Sequence, residues 1–227
     1  MERRFSPLWG VLALVLFACA AVANGKGIDR TLLAEAKAGN AGAQYQLGRM
    51  YFFGEGVLQD YTQAEFWFRK GAEQGDPNSE FQLGGLYHFG HGVPQDDGQA
   101  FVWIVKAAQQ GHIDAEFFIS TCFTEGWGVP RDDARGAIWL RKAAEQGDTR
   151  SQFYLGHFYD SGKGVPRDYP EAYFWFDLAA SGDVTPERKE EAVKRRDMVA
   201  AVLTRAEIAS VQQRVRQWLQ NHPAQSQ

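Results

Sequence analysis

The histidines His88 and His91, three positions apart, and Cys122 are the side chains that come nearest to a reactive or metal-binding arrangement. A transition-metal site needs three or four ligands converging on one point. The other histidines, His112, His157 and His222, stand singly, so neither metal nor cofactor is expected. Cys122 falls in an apolar column with Met50, Leu86 and Phe158, which predicts a buried thiol without the basic, exposed setting that activates sulfur. Gly54-Glu55-Gly56, Gly90-His91-Gly92, Gly126-Trp127-Gly128 and Gly162-Lys163-Gly164 look superficially like phosphate loops. A phosphate loop follows a strand and opens a helix, whereas each of these follows a predicted helix and recurs with it, so they read as turns. No serine or cysteine nucleophile lies in a local catalytic pattern, and an enzyme is not expected.

The elements that carry these residues repeat. Tryptophan returns every 36 residues at Trp67, Trp103, Trp139 and Trp175. Other columns return with it: Leu47, Leu83, Ile119 and Leu155; Tyr51, Tyr87, Phe123 and Tyr159; Val57, Val93, Val129 and Val165. A unit of this length cannot bury its own apolar face, so neighbours must stack into a continuous core. The expected fold is all-α, an α/α solenoid of helix-turn-helix repeats, with units at 39–74, 75–110, 111–146 and 147–181.

Within each unit the first helix is predicted from apolar residues at helical spacing, as at Tyr45, Leu47, Met50 and Tyr51. Asn40, Asp76 and Asp148 stand as its N-caps, and Pro77 sits where no amide bond is lost. The second helix opens at Asp60, Asp96, Asp132 and Asp168. Gln63, Gln99 and Glu171 three positions on suggest capping boxes, which Arg135 interrupts in the third unit. Small residues at Gly48, Gly84, Ser120 and Gly156, and at Ala64, Ala100, Gly136 and Ala172, predict closely approaching helix pairs covered by the tryptophan column.

The run from Ala43 through Leu47-Gly48, Tyr51, Gly54-x-Gly56-Val57, Asp60, Ala64, Trp67 and Lys70-Gly71-Ala72 to Gln74-Gly75 resembles the Sel1-like repeat, a relative of the tetratricopeptide repeat. Repeat two restates it from Leu83-Gly84 to Lys106-Ala107-Ala108. Departures are few: Ser120 replaces glycine, and Leu178 replaces the lysine of Lys70, Lys106 and Lys142. The resemblance implies a binding scaffold with a protein partner; secreted bacterial members are similar to adaptors, signalling modulators and immunity proteins against delivered toxins. Cysteine-rich members named as β-lactamases have paired cysteines that are absent here.

Flanking segments complete the layout. Arg3 and Arg4 followed by an apolar run from Leu8 to Ala23 predict a signal peptide, 1–23, cleaved after Ala23, and hence a periplasmic protein. The run is short for a membrane span, and Phe17 disfavours lipidation at Cys19. Residues 24–38 match half a repeat and read as an N-terminal cap. The period stops after 181. Capping helices are expected over 182–221, the second opened by the box Thr204-x-x-Glu207, and a disordered tail over 222–227. Charge on Lys194, Arg195 and Arg196 is interleaved with Glu190, Glu191 and Asp197, as on a solvated helix face. The formal charge is −4, and residues 24–182 hold 14 basic against 21 acidic side chains, a poor match to a polyanion, so nucleic acid is set aside. With Cys122 alone after leader removal no internal disulfide forms, and a soluble monomer is expected.

Recognition residues are sought among columns that vary between repeats. On the first helices these hold Arg49, Phe53, Phe89, Phe118, Tyr154 and His157. In related arrays first helices line the concave side, so these six are the candidate partner-binding residues, an aromatic groove with cationic neighbours of the kind that concentrates binding energy.

Overall fold

The computed structural model describes residues 27–182 and 185–222. The predicted signal peptide with Cys19, and residues 223–227 of the predicted tail, lie outside the described residues. Among the described residues the chain forms eleven α-helices and no strand: α1 Arg30–Lys37, α2 Ala41–Phe53, α3 Tyr61–Glu73, α4 Pro77–Phe89, α5 Asp97–Gln109, α6 Ile113–Glu125, α7 Asp133–Glu145, α8 Thr149–Ser161, α9 Tyr169–Ser181, α10 Pro186–Ala200 and α11 Arg205–Asn221. The fold class is the expected one, an all-α repeat solenoid. The chain divides into two compact units, Met1–Trp103 and Ile104–Gln227, with the division inside α5.

Helix boundaries follow from caps visible in the sequence. Asn40, Asp76 and Asp148 accept from the amides of Ala43, Ser79 and Ser151. Asp60, Asp132 and Asp168 do the same for the second helices. The third unit fills its empty first-helix cap with His112, whose Nδ1 accepts from the Ala115 amide at 3.2 Å. Glu171 does not complete a box with Asp168, because its carboxylate is taken by Arg214 of α11 at 2.5 Å. Thr204 and Glu207 form both halves of theirs. Each first helix ends on glycine in the left-handed region, as at Gly54 with φ 73°.

In the first unit α1, α2, α3 and α4 pack in succession. Leu47 and Trp67 join Ala36 and Ala43 in one cluster; Phe68, Leu83 and Leu86 form the next, with Trp103 packed on its margin. In the second unit α6 to α9 stack pairwise, and both α10 and α11 pack on α9. Leu155, Trp175, Phe176 and Leu178 form its centre, extended by Val199, Val211 and Val215 from the two final helices.

The tryptophan column is not uniformly the interior. Trp67 and Trp175 are buried, whereas Trp103 and Trp139 are half-buried. The next residue along, Phe68, Ile104, Leu140 and Phe176, is buried in every repeat, each at most 2% exposed. One position on a 3.6-residue helix is a rotation of about 100°, enough to move a side chain from the flank of a contact to its centre. Cys122 is buried at 1% exposure, as its column predicted.

Candidate partner-binding groove

Two openings lie side by side in the second unit. One, of about 480 Å³, is lined by Phe117 of α6; Thr149, Arg150, Phe153 and Tyr154 of α8; Ala179 of α9; and Glu187, Arg188, Glu191 and Ala192 of α10. The other, about 470 Å³, lies among Phe117, Ser120, Thr121, Thr124, Glu125, Trp127, Leu140, Tyr154, Phe158 and Lys163. Phe117 and Tyr154, ring centroids 5.7 Å apart, stand in both walls. Each volume is in the range that accepts a bulky side chain or small ligand.

Local chemistry explains the shape. Ala179, Ala180 and Ala192 pack together with Phe153 and Val193 at their edge, so α10 approaches α9 closely and makes the far wall of the first opening. Arg196 of α10 pairs with Asp177 of α9 at 2.9 Å and fixes the helix along its neighbour. Arg150 lies over Phe117 with its guanidinium carbon 4.9 Å from the ring centroid, while Asp114 at 2.5 Å and Asp148 at 3.1 Å neutralise it. Glu191 is paired with Arg195 at 2.7 Å, and that bond holds its carboxyl below the usual range. In the second opening the Thr121 and Thr124 hydroxyls donate to the carbonyls of Phe117 and Thr121 of their own helix. Their polar valence is satisfied in this way, and both openings offer a partner mainly apolar surface.

The candidate residues separate into distinct settings. Tyr154 is 48% exposed and central to the groove. Phe118, its column neighbour, turns toward Trp127 at 5.9 Å instead of lining either opening. His157 packs edge-on against Phe153 at 4.7 Å and Phe176 at 5.0 Å; burial first, and the nearby Arg195 charge second, lower its pKa. In the first unit Arg49 lies over Phe53 at 5.6 Å, and Phe53 meets Phe52 at 4.9 Å. Phe52 reaches His91 at 6.2 Å, and His91 stacks on both Tyr61 and Phe89. Arg49, Phe53 and Phe89 thus belong to one aromatic strip whose ends, Phe53 and Phe89, are the most exposed rings among the described residues of that unit.

Phe117, Phe153, Arg150, Arg188 and Glu187 were not selected from the sequence. Phe117 and Phe153 share an always-aromatic column with Tyr45 and Phe81, and a search for variable columns passes over it. Arg188 and Glu187 lie beyond the period, where column comparison has nothing to align.

The other chemical suspects are accounted for structurally. A side chain on Gly92 would meet the Tyr61 carbonyl oxygen at 2.5 Å, and one on Gly164 would collide with the Asp133 carbonyl. The second glycine of each of these Gly-x-Gly turns therefore lets it lie against the preceding repeat. His88 Nδ1 is 2.7 Å from Asp97 Oδ1, and no cluster of three metal-ligating side chains occurs among the described residues.

Comparison with known proteins agrees with the repeat reading. The Sel1 repeat pattern matches four times, at residues 41–76, 77–112, 113–148 and 149–184. A Sel1 repeat protein from Oxalobacter formigenes is similar in structure with a TM-score of 0.65 and 36% identity, over 72% of this chain and 47% of that one. The c5321 protein of uropathogenic Escherichia coli strains, a protective antigen, shares 27% identity at a TM-score of 0.43, over 83% of this chain and 55% of its own. The immunity protein Pa5087 of Pseudomonas aeruginosa shares 16% identity at a TM-score of 0.45, over 88% and 85%. The chain spans about half the length of the first two. No curated protein matches it.

Proposed function

From the membership of this chain in the Sel1 repeat family, whose repeats mediate protein–protein interaction, we propose that it is a non-catalytic periplasmic scaffold that grips a partner protein in the groove of its second unit. The observation that carries this reading is the pair of adjoining apolar openings sharing the Phe117–Tyr154 wall. Rings held by helix packing, with a half-exposed tyrosine at the centre, bury large area on binding at little entropic cost. The likeness to the immunity protein is one of fold and does not choose the partner.

Site-specific photo-crosslinking in the native envelope tests the proposal. A crosslinking amino acid in place of Tyr154 should yield a defined adduct with a second protein, and one in place of Val202, 62% exposed elsewhere on the same unit, should not. Adducts formed from position 202 and never from 154 would overturn it. The exposed strip of the first unit supports a second contact surface, for which a crosslinker in place of Phe89 is the matching probe.

A further inference from the structure

One buried column changes its chemistry between repeats while the backbone around it does not. Gln44, Glu80, Glu116 and Gln152 stand one period apart, each at most 3% exposed. Gln44 and Gln152 reach back across the turn before their own helix and donate from Nε2 to the carbonyl eight residues earlier, Ala36 at 3.0 Å and Ala144 at 3.2 Å. The turn before Glu116 has the same form: the Gly111 amide donates to Ala108 as those of Gly39 and Gly147 do to Ala36 and Ala144, at 3.0 to 3.2 Å. The partner on the other side recurs as well, since Gln74 donates to Gln44 Oε1 at 2.6 Å and Gln146 to Glu116 Oε2 at 2.7 Å. Glu116 Oε1 therefore takes the place of an amide nitrogen, and the acceptor that belongs to that place is the Ala108 carbonyl. Two oxygens bond there only with a proton between them.

We propose that Glu116 is a proton-operated latch on the turn between α5 and α6: protonated, its carboxyl donates to the Ala108 carbonyl and ties the start of α6 to the last turn of α5, and on losing the proton to water it releases that tie. Burial is the largest influence on the carboxyl and favours the protonated form; the Gln146 amide and Lys142 of α7 oppose it, and Glu145 of α7 adds to it. The tie is thus complete below the ordinary value of 4.5 and fades as pH rises through the raised one. Glutamine amides do not titrate, so the turns held by Gln44 and Gln152 keep their bond at any pH, whereas the third repeat is tied most firmly in acid. This device does not depend on what occupies the groove.

NMR and amide exchange on the full chain test it. With the glutamate carboxyl carbons isotope-labelled, the resonance that disappears in Glu116→Gln should titrate above the ordinary glutamate range. The Gln variant installs the residue already present as Gln44 and Gln152, and should fold. Its Gly111 and His112 amides should exchange about fivefold more slowly than those of the unaltered chain at about pH 7.5, and at the same rate at about pH 5. Gly147 and Asp148, at the turn that Gln152 holds, should not differ between the two proteins at either pH. Glu116→Leu removes the charge without supplying a donor, so its turn should exchange faster than that of Glu116→Gln at both pH values. A Glu116 carboxyl that titrates at or below the ordinary range would overturn the proposal, as would exchange at Gly111 and His112 that is indifferent to Glu116→Gln. Equal protection in the Leu and Gln variants would also overturn it, leaving relief of a buried charge as the whole effect.

Discussion

The ring of Phe176 lies on the backbone of Gly156: a side-chain carbon there would sit 2.7 Å from the Phe176 Cδ1. Gly48 and Phe68 repeat the arrangement in the first unit. Two helices approach at these points because one contributes no side chain and the other contributes a full ring. The third repeat uses Ser120 and Leu140, a larger residue facing a smaller one, and both are buried.

Gly156→Ala should therefore destabilise the chain although alanine is the better helix former. Overpacking costs about 1–3 kcal/mol against a propensity gain of about 1 kcal/mol. Adding Phe176→Leu to Gly156→Ala should recover part of the loss. Urea titration of the single and double variants gives the coupling; additive effects would mean that the two residues do not share a contact.

Burial ranks the aromatic columns differently from their regularity. Phe68→Ala, at a side chain 0% exposed, should cost about 3–5 kcal/mol. Trp103→Ala, at a half-buried ring, should cost less, about 1–3 kcal/mol. Equal denaturation midpoints for the two would contradict this ranking.

Glu116 is buried and accepts from Gln146 Nε2 at 2.7 Å. Burial raises its pKa, with Glu145 adding to the effect and Gln146 and Lys142 opposing it. The protonated form is thus favoured by folding: this stabilisation is fully present below the ordinary value of 4.5 and is lost as pH rises through the raised one. Gln44 occupies the same column in repeat one and pairs with Gln74 at 2.6 Å. Glu116→Gln should accordingly stabilise by about 1 kcal/mol or less near pH 7, and the gain should shrink toward pH 4. A gain that is the same at both pH values would exclude ionisation of Glu116 as its source.

His157 has the opposite sign. Its folded pKa is lowered, by burial first and then by Arg195, against the opposing charges of Asp160 and Glu191. Stability is held above the ordinary value of 6.5 and lost as pH falls through the lowered one. His157→Gln should flatten the fall in melting temperature between about pH 7 and pH 5. An unchanged slope would assign the acid limb to other groups.

Export is read by mass. The purified envelope form should begin at Asn24, and retention of residues 1–23 or a lipid on Cys19 would contradict a cleaved signal peptide.

The period of the chain determined its helices, caps and turns, because those contacts join residues a few positions or one repeat apart and recur four times. Asp60, Asp132, Asp168 and the left-handed glycines could be named without coordinates for that reason. Tyr154 was also reachable, as an aromatic in a variable column. Tertiary structure alone decided which side of an always-aromatic column opens, as at Phe117 and Phe153, because periodicity marks a face without saying whether a neighbour covers it. It likewise decided that Trp103 lies beside the core that Phe68 fills, a difference of one helical step. The far wall of the groove depends on α10, where the repeat stops and alanines on two helices set the approach. No column comparison reaches Arg188, whose place in the groove is made by helix packing between residues unrelated by the repeat.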